Sequence, residues 1–162
     1  MPGNIIEKSF LDQLNHLRDI VSTNLLDNNI LHIEETSRSP FVYINSESGK
    51  IIFKGHGIPE NSNEFFKPIF DFIEKNFKNT KDIEGHFIFC YNNSSFEKEL
   101  VFLYLRLSTL YKNGVNVECN WYYEKDDERM LEAGEDFISI LRIPFNLVEL
   151  EDLKVFLNLK FD

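Results

Sequence analysis

The segment Tyr91-Asn92-Asn93-Ser94-Ser95 is the strongest candidate for chemistry, because two hydroxyls stand between a short apolar run and a helical pattern. At a strand-to-helix junction the unpaired amides and the dipole of the helix favour an anion, so a phosphate could be held there. The competing reading is a capping box. Ser94 as N-cap, with Glu97 three residues later, accounts for the serine without any ligand, and on the residues alone this is the stronger reading.

Other candidates carry less. His16, His32, His56 and His86 fall in different elements with no HExxH or HxH spacing, which suits surface or lightly buried residues rather than metal ligands. Gly55-His56-Gly57 lacks the third glycine of a dinucleotide fingerprint and the Gly-Lys-Ser/Thr of a P-loop, so a tight turn after a strand is expected. The acidic run Glu124, Asp126, Asp127, Glu128, Glu132, Glu135 and Asp136 could gather carboxylates around a cation. Acids at a helix start, however, oppose its positive dipole end, and the later ones fall on a solvated face that remains open to a partner. Cys90 and Cys119 sit in apolar stretches without CxxC spacing and are expected to be buried, reduced and unpaired. No Ser/His/Asp or Cys/His arrangement is evident, so no catalytic residue, cofactor or metal is assigned.

The elements that must position the Asn92–Ser95 turn follow from the apolar periods. His86 to Tyr91 is a continuous apolar run, as in a strand buried on both faces, and Phe96 to Tyr111 repeats at helical spacing until Asn113-Gly114. Upstream, Phe41–Ile44 and Lys50–Lys54 flank a polar loop as a hairpin. Asn61 to Phe77 is a helix with Asn61 and Glu64 as a capping box, and Pro68 should kink it or shift its start. Val115–Tyr123 alternates like a strand. Asp127–Leu141 is a helix with Met130, Phe137, Ile138 and Leu141 on one face, and Phe145–Leu150 is a further strand. Ile6 to Leu26 carries an amphipathic helical stripe, and Leu153 to Phe161 suits either an edge strand or a short helix.

This order predicts one α/β domain, a mixed central sheet with packed helices. Its expected span is residues 36–150, after an N-terminal helical extension over 1–35 and before a tail over 151–162. A length of 162 residues suits one core, and 16 Phe supply its bulk. With 17 Lys and Arg against 27 Asp and Glu, the net charge of -10 opposes phosphate-backbone binding, so nucleic acid is not expected as a partner. No stretch approaches the roughly 20 apolar residues that cross a bilayer, and the first residues lack a signal-peptide pattern. No membrane insertion and a cytoplasmic location are expected.

Three motifs, in order, add a resemblance. They are Gly55-His56-Gly57-Ile58-Pro59-Glu60-Asn61-Ser62 with Glu64-Phe65-Phe66 and Pro68; Tyr91-Asn92-Asn93-Ser94-Ser95; and Trp121-Tyr122-Tyr123 with Asp126-Asp127-Glu128 and Ala133-Gly134-Glu135. Thr36 through Leu150 resembles the SiaC-like regulatory phosphoproteins, bacterial proteins similar in fold to the STAS domains of anti-sigma-factor antagonists. The resemblance implies a STAS-like fold and a non-enzymatic signalling adaptor. Its partners would be a serine/threonine protein kinase, a PP2C-type phosphatase and a diguanylate cyclase or other output protein, in biofilm control. In the family the turn resembles Asn-Thr-Ser-Ser, with the threonine phosphorylated. Here Asn93 stands at that acceptor position, and an amide cannot form a phosphate ester. Either Ser94 or Ser95 takes the phosphate, or the chain is locked in the unphosphorylated state. The implied partner-binding surface comprises Asn92, Asn93, Ser94 and Ser95 with Glu60, Asn61 and Ser62. The alternatives are a constitutive interaction or oligomerisation module and an uncharacterised hydrolase.

Overall fold

The structure, a computed structural model, describes residue 12 and residues 28–157. Apart from residue 12, the expected helix from Ile6 to Leu26 lies outside the described residues. The sheet starts earlier than Thr36. Strand β1 (Ile30–Ile33) pairs antiparallel with β2 (Phe41–Asn45), which turns back into β3 (Lys50–Gly57). A half-buried edge strand of four residues is too short for its alternation to stand out beside the longer helical stripe before it.

From β3 the chain alternates through α1 (Ser62–Asn76), β4 (Asp82–Asn92), α2 (Ser94–Lys112), β5 (Asn116–Glu124), α3 (Glu128–Ile140), β6 (Phe145–Leu150) and the short α4 (Lys154–Leu157). The strands lie in sequence order, with β3, β4, β5 and β6 mutually parallel. The mixed α/β sheet expected from the periods is therefore present. Gly55-His56-Gly57 is not a turn. It continues β3 through an irregularity between Gly55 and His56, and the chain leaves the sheet only at Ile58. The described part of the tail takes the helical alternative.

One face of the sheet holds the main core, built from α1, α2 and α3 against the strands. Phenylalanines fill it: the Phe53 ring lies 5.4 Å from Phe87, and Phe96 lies 5.0 Å from Phe66 and 5.4 Å from Phe89. Such pairs add about 0.5–1.5 kcal/mol each to the burial of the rings. Helix α1 runs through Pro68 without a break, because the carbonyl that loses its donor is that of Glu64, on the exposed side. Helix α3 buries Met130, Ala133, Gly134 and Phe137, whereas Ile138 is exposed, being one residue further round the helix than the stripe. A Cβ on Gly134 would stand 2.5 Å from Leu147 and 2.7 Å from the Trp121 ring, so only glycine lets α3 lie this close to the sheet.

The opposite face carries a smaller apolar cluster, with α4 placing Phe156 over Tyr122. Here the structure departs from the expectation that every histidine is superficial. His86 is buried between Tyr122 and Glu84, with Nδ1 2.8 Å from the Tyr122 hydroxyl and Nε2 2.7 Å from Glu84 Oε1. An ionised carboxylate only accepts, so Nε2 carries the proton and Nδ1 accepts from Tyr122. Burial holds His86 below its usual range despite Glu84. The hydrogen bond from His86, reinforced by Lys50 at 2.8 Å, holds Glu84 down at about 2.

Both groups place their loss of stability on the acid side. Below pH 6.5 the unfolded chain takes a proton on His86 that the folded chain declines, so stability falls as pH falls. The contribution of Glu84 is intact above pH 4.5 and is lost as pH falls towards 2. Urea unfolding at about pH 7.5 and pH 5.5 should show a loss of stability that is smaller in His86→Gln. An equal loss in both proteins would refute the assignment.

Candidate functional site

Parallel strands that follow one another in sequence bring the starts of their connecting helices to one edge. The carboxyl ends of β3, β4 and β5 therefore lie beside the N-termini of α1, α2 and α3. In open α/β sheets this edge is where function is usually placed. All three helices are capped by an Asx side chain. Asn61 Oδ1 accepts from the Glu64 amide at 3.1 Å, Asn93 Oδ1 from Phe96 at 2.9 Å, and Asp127 Oδ1 from Met130 at 3.2 Å.

The cap of α2 corrects the sequence expectation. Asn93, not Ser94, is the N-cap, and Ser94 is the first helical residue. An Asn caps as well as a Ser, and the next residue is then free for another role. Glu97 consequently makes no capping box and pairs instead with Arg129, 3.1 Å away.

The two serines differ. Ser95 Oγ donates to Asn93 Oδ1 at 3.0 Å and lies 3.2 Å from Ser62 Oγ, which ties the starts of α1 and α2 together. Ser94 is exposed, and its hydroxyl makes no hydrogen bond to a described residue. Of the residues expected on the partner surface, Glu60, Asn61, Ser94 and Ser95 are exposed along this edge, and Asn93 is half-buried. Ser62 and Asn92 are buried and serve the frame. Asn92 faces Gly57, where a Cβ would stand 2.1 Å from its Oδ1, so the glycine admits the Asn92 side chain.

Sequence reasoning missed Arg129. Its Nη2 donates to the Asn92 carbonyl at 2.8 Å as well as to Glu97, and its guanidinium lies 4.9 Å from the centre of the Tyr91 ring, which is 48% exposed. There was a signal. Arg129 is the second residue of α3, where a cation opposes the helix dipole, and such a placement needs a partner outside the helix. Burial pushes the Glu97 carboxyl up, and Arg129 opposes that shift.

Two members of the acidic run have structural employment. Asp127 caps α3, and Glu124 Oε2 accepts from the Leu153 amide at 3.2 Å. Among the described residues no group of three or more His, Cys, Asp or Glu could hold a metal ion, and no helix is long and apolar enough to cross a membrane. Both cysteines are free. Cys119 is buried as expected, whereas Cys90 is only partly so, and burial raises both thiols above their ordinary range.

Comparisons with known proteins concern the chain as a whole. The SiaC family regulatory phosphoprotein model matches residues 33–150. An uncharacterized protein of Pseudomonas aeruginosa is 28% identical over 116 residues, which is 71% of this chain and 92% of that protein. A crystal structure of the diguanylate cyclase SiaD in complex with its activator SiaC, from Pseudomonas aeruginosa, matches with a TM-score of 0.70 and 26% identity, over 74% of this chain and 99% of that one. Apo-SiaC from the same organism matches with a TM-score of 0.67 and 26% identity, over 73% of this chain and 97% of that one.

The geometry separates the cap from the free hydroxyl. Asn93→Ala should lower stability to urea by about 1 kcal/mol, while Ser94→Ala should stay within about 0.5 kcal/mol of the unaltered protein. The reverse order would return the cap to Ser94.

Proposed function

The chain belongs to the SiaC family of regulatory phosphoproteins, and from that premise we propose that it is a signalling adaptor that binds an output protein through the edge carrying the Asn92–Ser95 turn. The output protein is a diguanylate cyclase or a protein of similar role, by analogy with the SiaC that activates SiaD. A serine/threonine kinase adds phosphate to Ser94, and a PP2C-type phosphatase removes it. The observation that carries this reading is the exposed Ser94 hydroxyl, uncommitted beside Asn93, which caps α2.

Phosphate at Ser94 adds about -1.5 to -2 charges and three acceptor oxygens at the first turn of a helix. The helix N-terminus tolerates that charge, so the fold survives. A partner surface fitted to a neutral turn does not, because burying the phosphate strips its hydration. The switch therefore acts on binding rather than on folding. Asn93 also supports a second reading. Its amide is a permanent, unphosphorylatable cap, as a constitutively binding member would have.

Unmodified protein, Ser94→Ala and Ser95→Ala should be incubated with a serine/threonine kinase from the same genome, and phosphate mapped by mass spectrometry. Each form is then titrated against a diguanylate cyclase from that genome. Phosphate at Ser94 with binding weakened at least about tenfold, about 1.4 kcal/mol, is the expected outcome. Absence of phosphate from Ser94 and Ser95, with the cyclase bound equally well by all forms, would favour the constitutive reading.

A further inference from the structure

We propose that Arg129 reads the phosphate: when Ser94 is phosphorylated, the Arg129 guanidinium leaves the Glu97 carboxylate, pairs with the phosphoryl oxygens and so carries the switch from the turn into α3. This deepens the function proposed above and rests on Ser94 as the modified residue.

Four observations support it. Ser94 and Glu97 stand three residues apart in the first turns of α2, so their side chains lie on the same face, and Arg129 reaches that face from α3. Beside the Tyr91 ring and the Met130 sulfur, 3.5 Å from Nη1, the guanidinium has two oxygen anchors among the described residues, the Asn92 carbonyl and Glu97. With five donors it can keep the first and exchange the second, so the motion required is a pivot about the Asn92 carbonyl. The exchange also favours phosphate. A phosphoryl dianion presents more charge than one carboxylate and matches the planar fork bidentately, while the partly buried Glu97 is the weaker anion because burial already opposes its ionisation.

The fourth observation concerns the segment itself. Asn92 is 0% exposed, and neither its Nδ2 nor its Oδ1 has a hydrogen-bond partner among the described residues. Its Oδ1 and the ring of Phe96, in the first turn of α2, both crowd against Gly57. A buried amide without partners is unfavourable, so the segment that Arg129 anchors is held at a cost in the unmodified protein and is suited to a second arrangement. After the exchange, Glu97 and the phosphate would be like charges one helical turn apart, which drives the Glu97 carboxylate outward and loosens the contact between α2 and α3.

The test places phosphoserine at position 94 during translation, without a kinase, and follows the phosphate by 31P NMR titration. With Arg129 present, the second phosphate pKa should fall about 1 unit below its usual value of about 6. Arg129→Gln should restore it, and Arg129→Lys should fall between. The Nε–H resonance of Arg129 in the otherwise unaltered protein should move on phosphorylation, a readout that needs no destabilising variant. A phosphate pKa that does not depend on Arg129, or an Nε–H resonance that stays in place, would overturn the proposal. Because no kinase is used, failure here is separate from failure of a kinase to modify Ser94.

Discussion

Parallel strands laid down in sequence order constrain everything else in this molecule. Each step from β3 to β6 moves one place across the sheet in the same direction, so crossovers of a single hand put α1, α2 and α3 on one face. Their N-termini then share one edge, where three sets of unpaired amides meet. Asn61, Asn93 and Asp127 satisfy one donor in each set from within the chain. The edge is consequently a stable frame on which Ser94, just inside the cap of α2, stays exposed, while Ser62, just inside the cap of α1, is buried.

Charge gives that edge its character. The chain is strongly acidic, yet Arg129 is set into the start of α3, against the dipole, where it bridges to the end of β4 and the first turns of α2. A fixed cation between two helix starts makes the local potential more positive than the net charge suggests. Ser94, exposed and uncommitted, lies in the helix turn that Arg129 bridges. Ser95, tied to Asn93 and Ser62, helps to hold the frame. Adjacent serines thus have different work, decided by which neighbour each hydroxyl faces.

Most of the architecture was legible in the sequence, because its signals were periodic. The stripes of α1 and α2 and the apolar run of β4 are long enough for their spacing to name their type. What escaped was local or tertiary. Strand β1 has only four half-buried residues. Gly55-His56-Gly57 reads as a turn because glycine marks turns more often than it marks a close approach, and Gly57 is required by the Asn92 side chain opposite. The cap fell one residue early because Asn and Ser both cap well and stood side by side. His86 looked superficial because its partners lie two and 36 residues away, on its own strand and on β5. The candidate site was legible as a turn, but the Arg129 bridge to Asn92 spans 37 residues and belongs to the fold rather than to any motif.

The central claim is that the edge formed by the starts of α1, α2 and α3 is the surface through which this chain engages its output protein. Hydrogen–deuterium exchange on the unmodified protein, with and without a diguanylate cyclase from the same genome, tests it most directly. The account predicts that protection on binding is concentrated in residues 57–65, 91–98 and 124–130. Protection confined to the opposite end of the sheet, or to the face covered by α4, would contradict it.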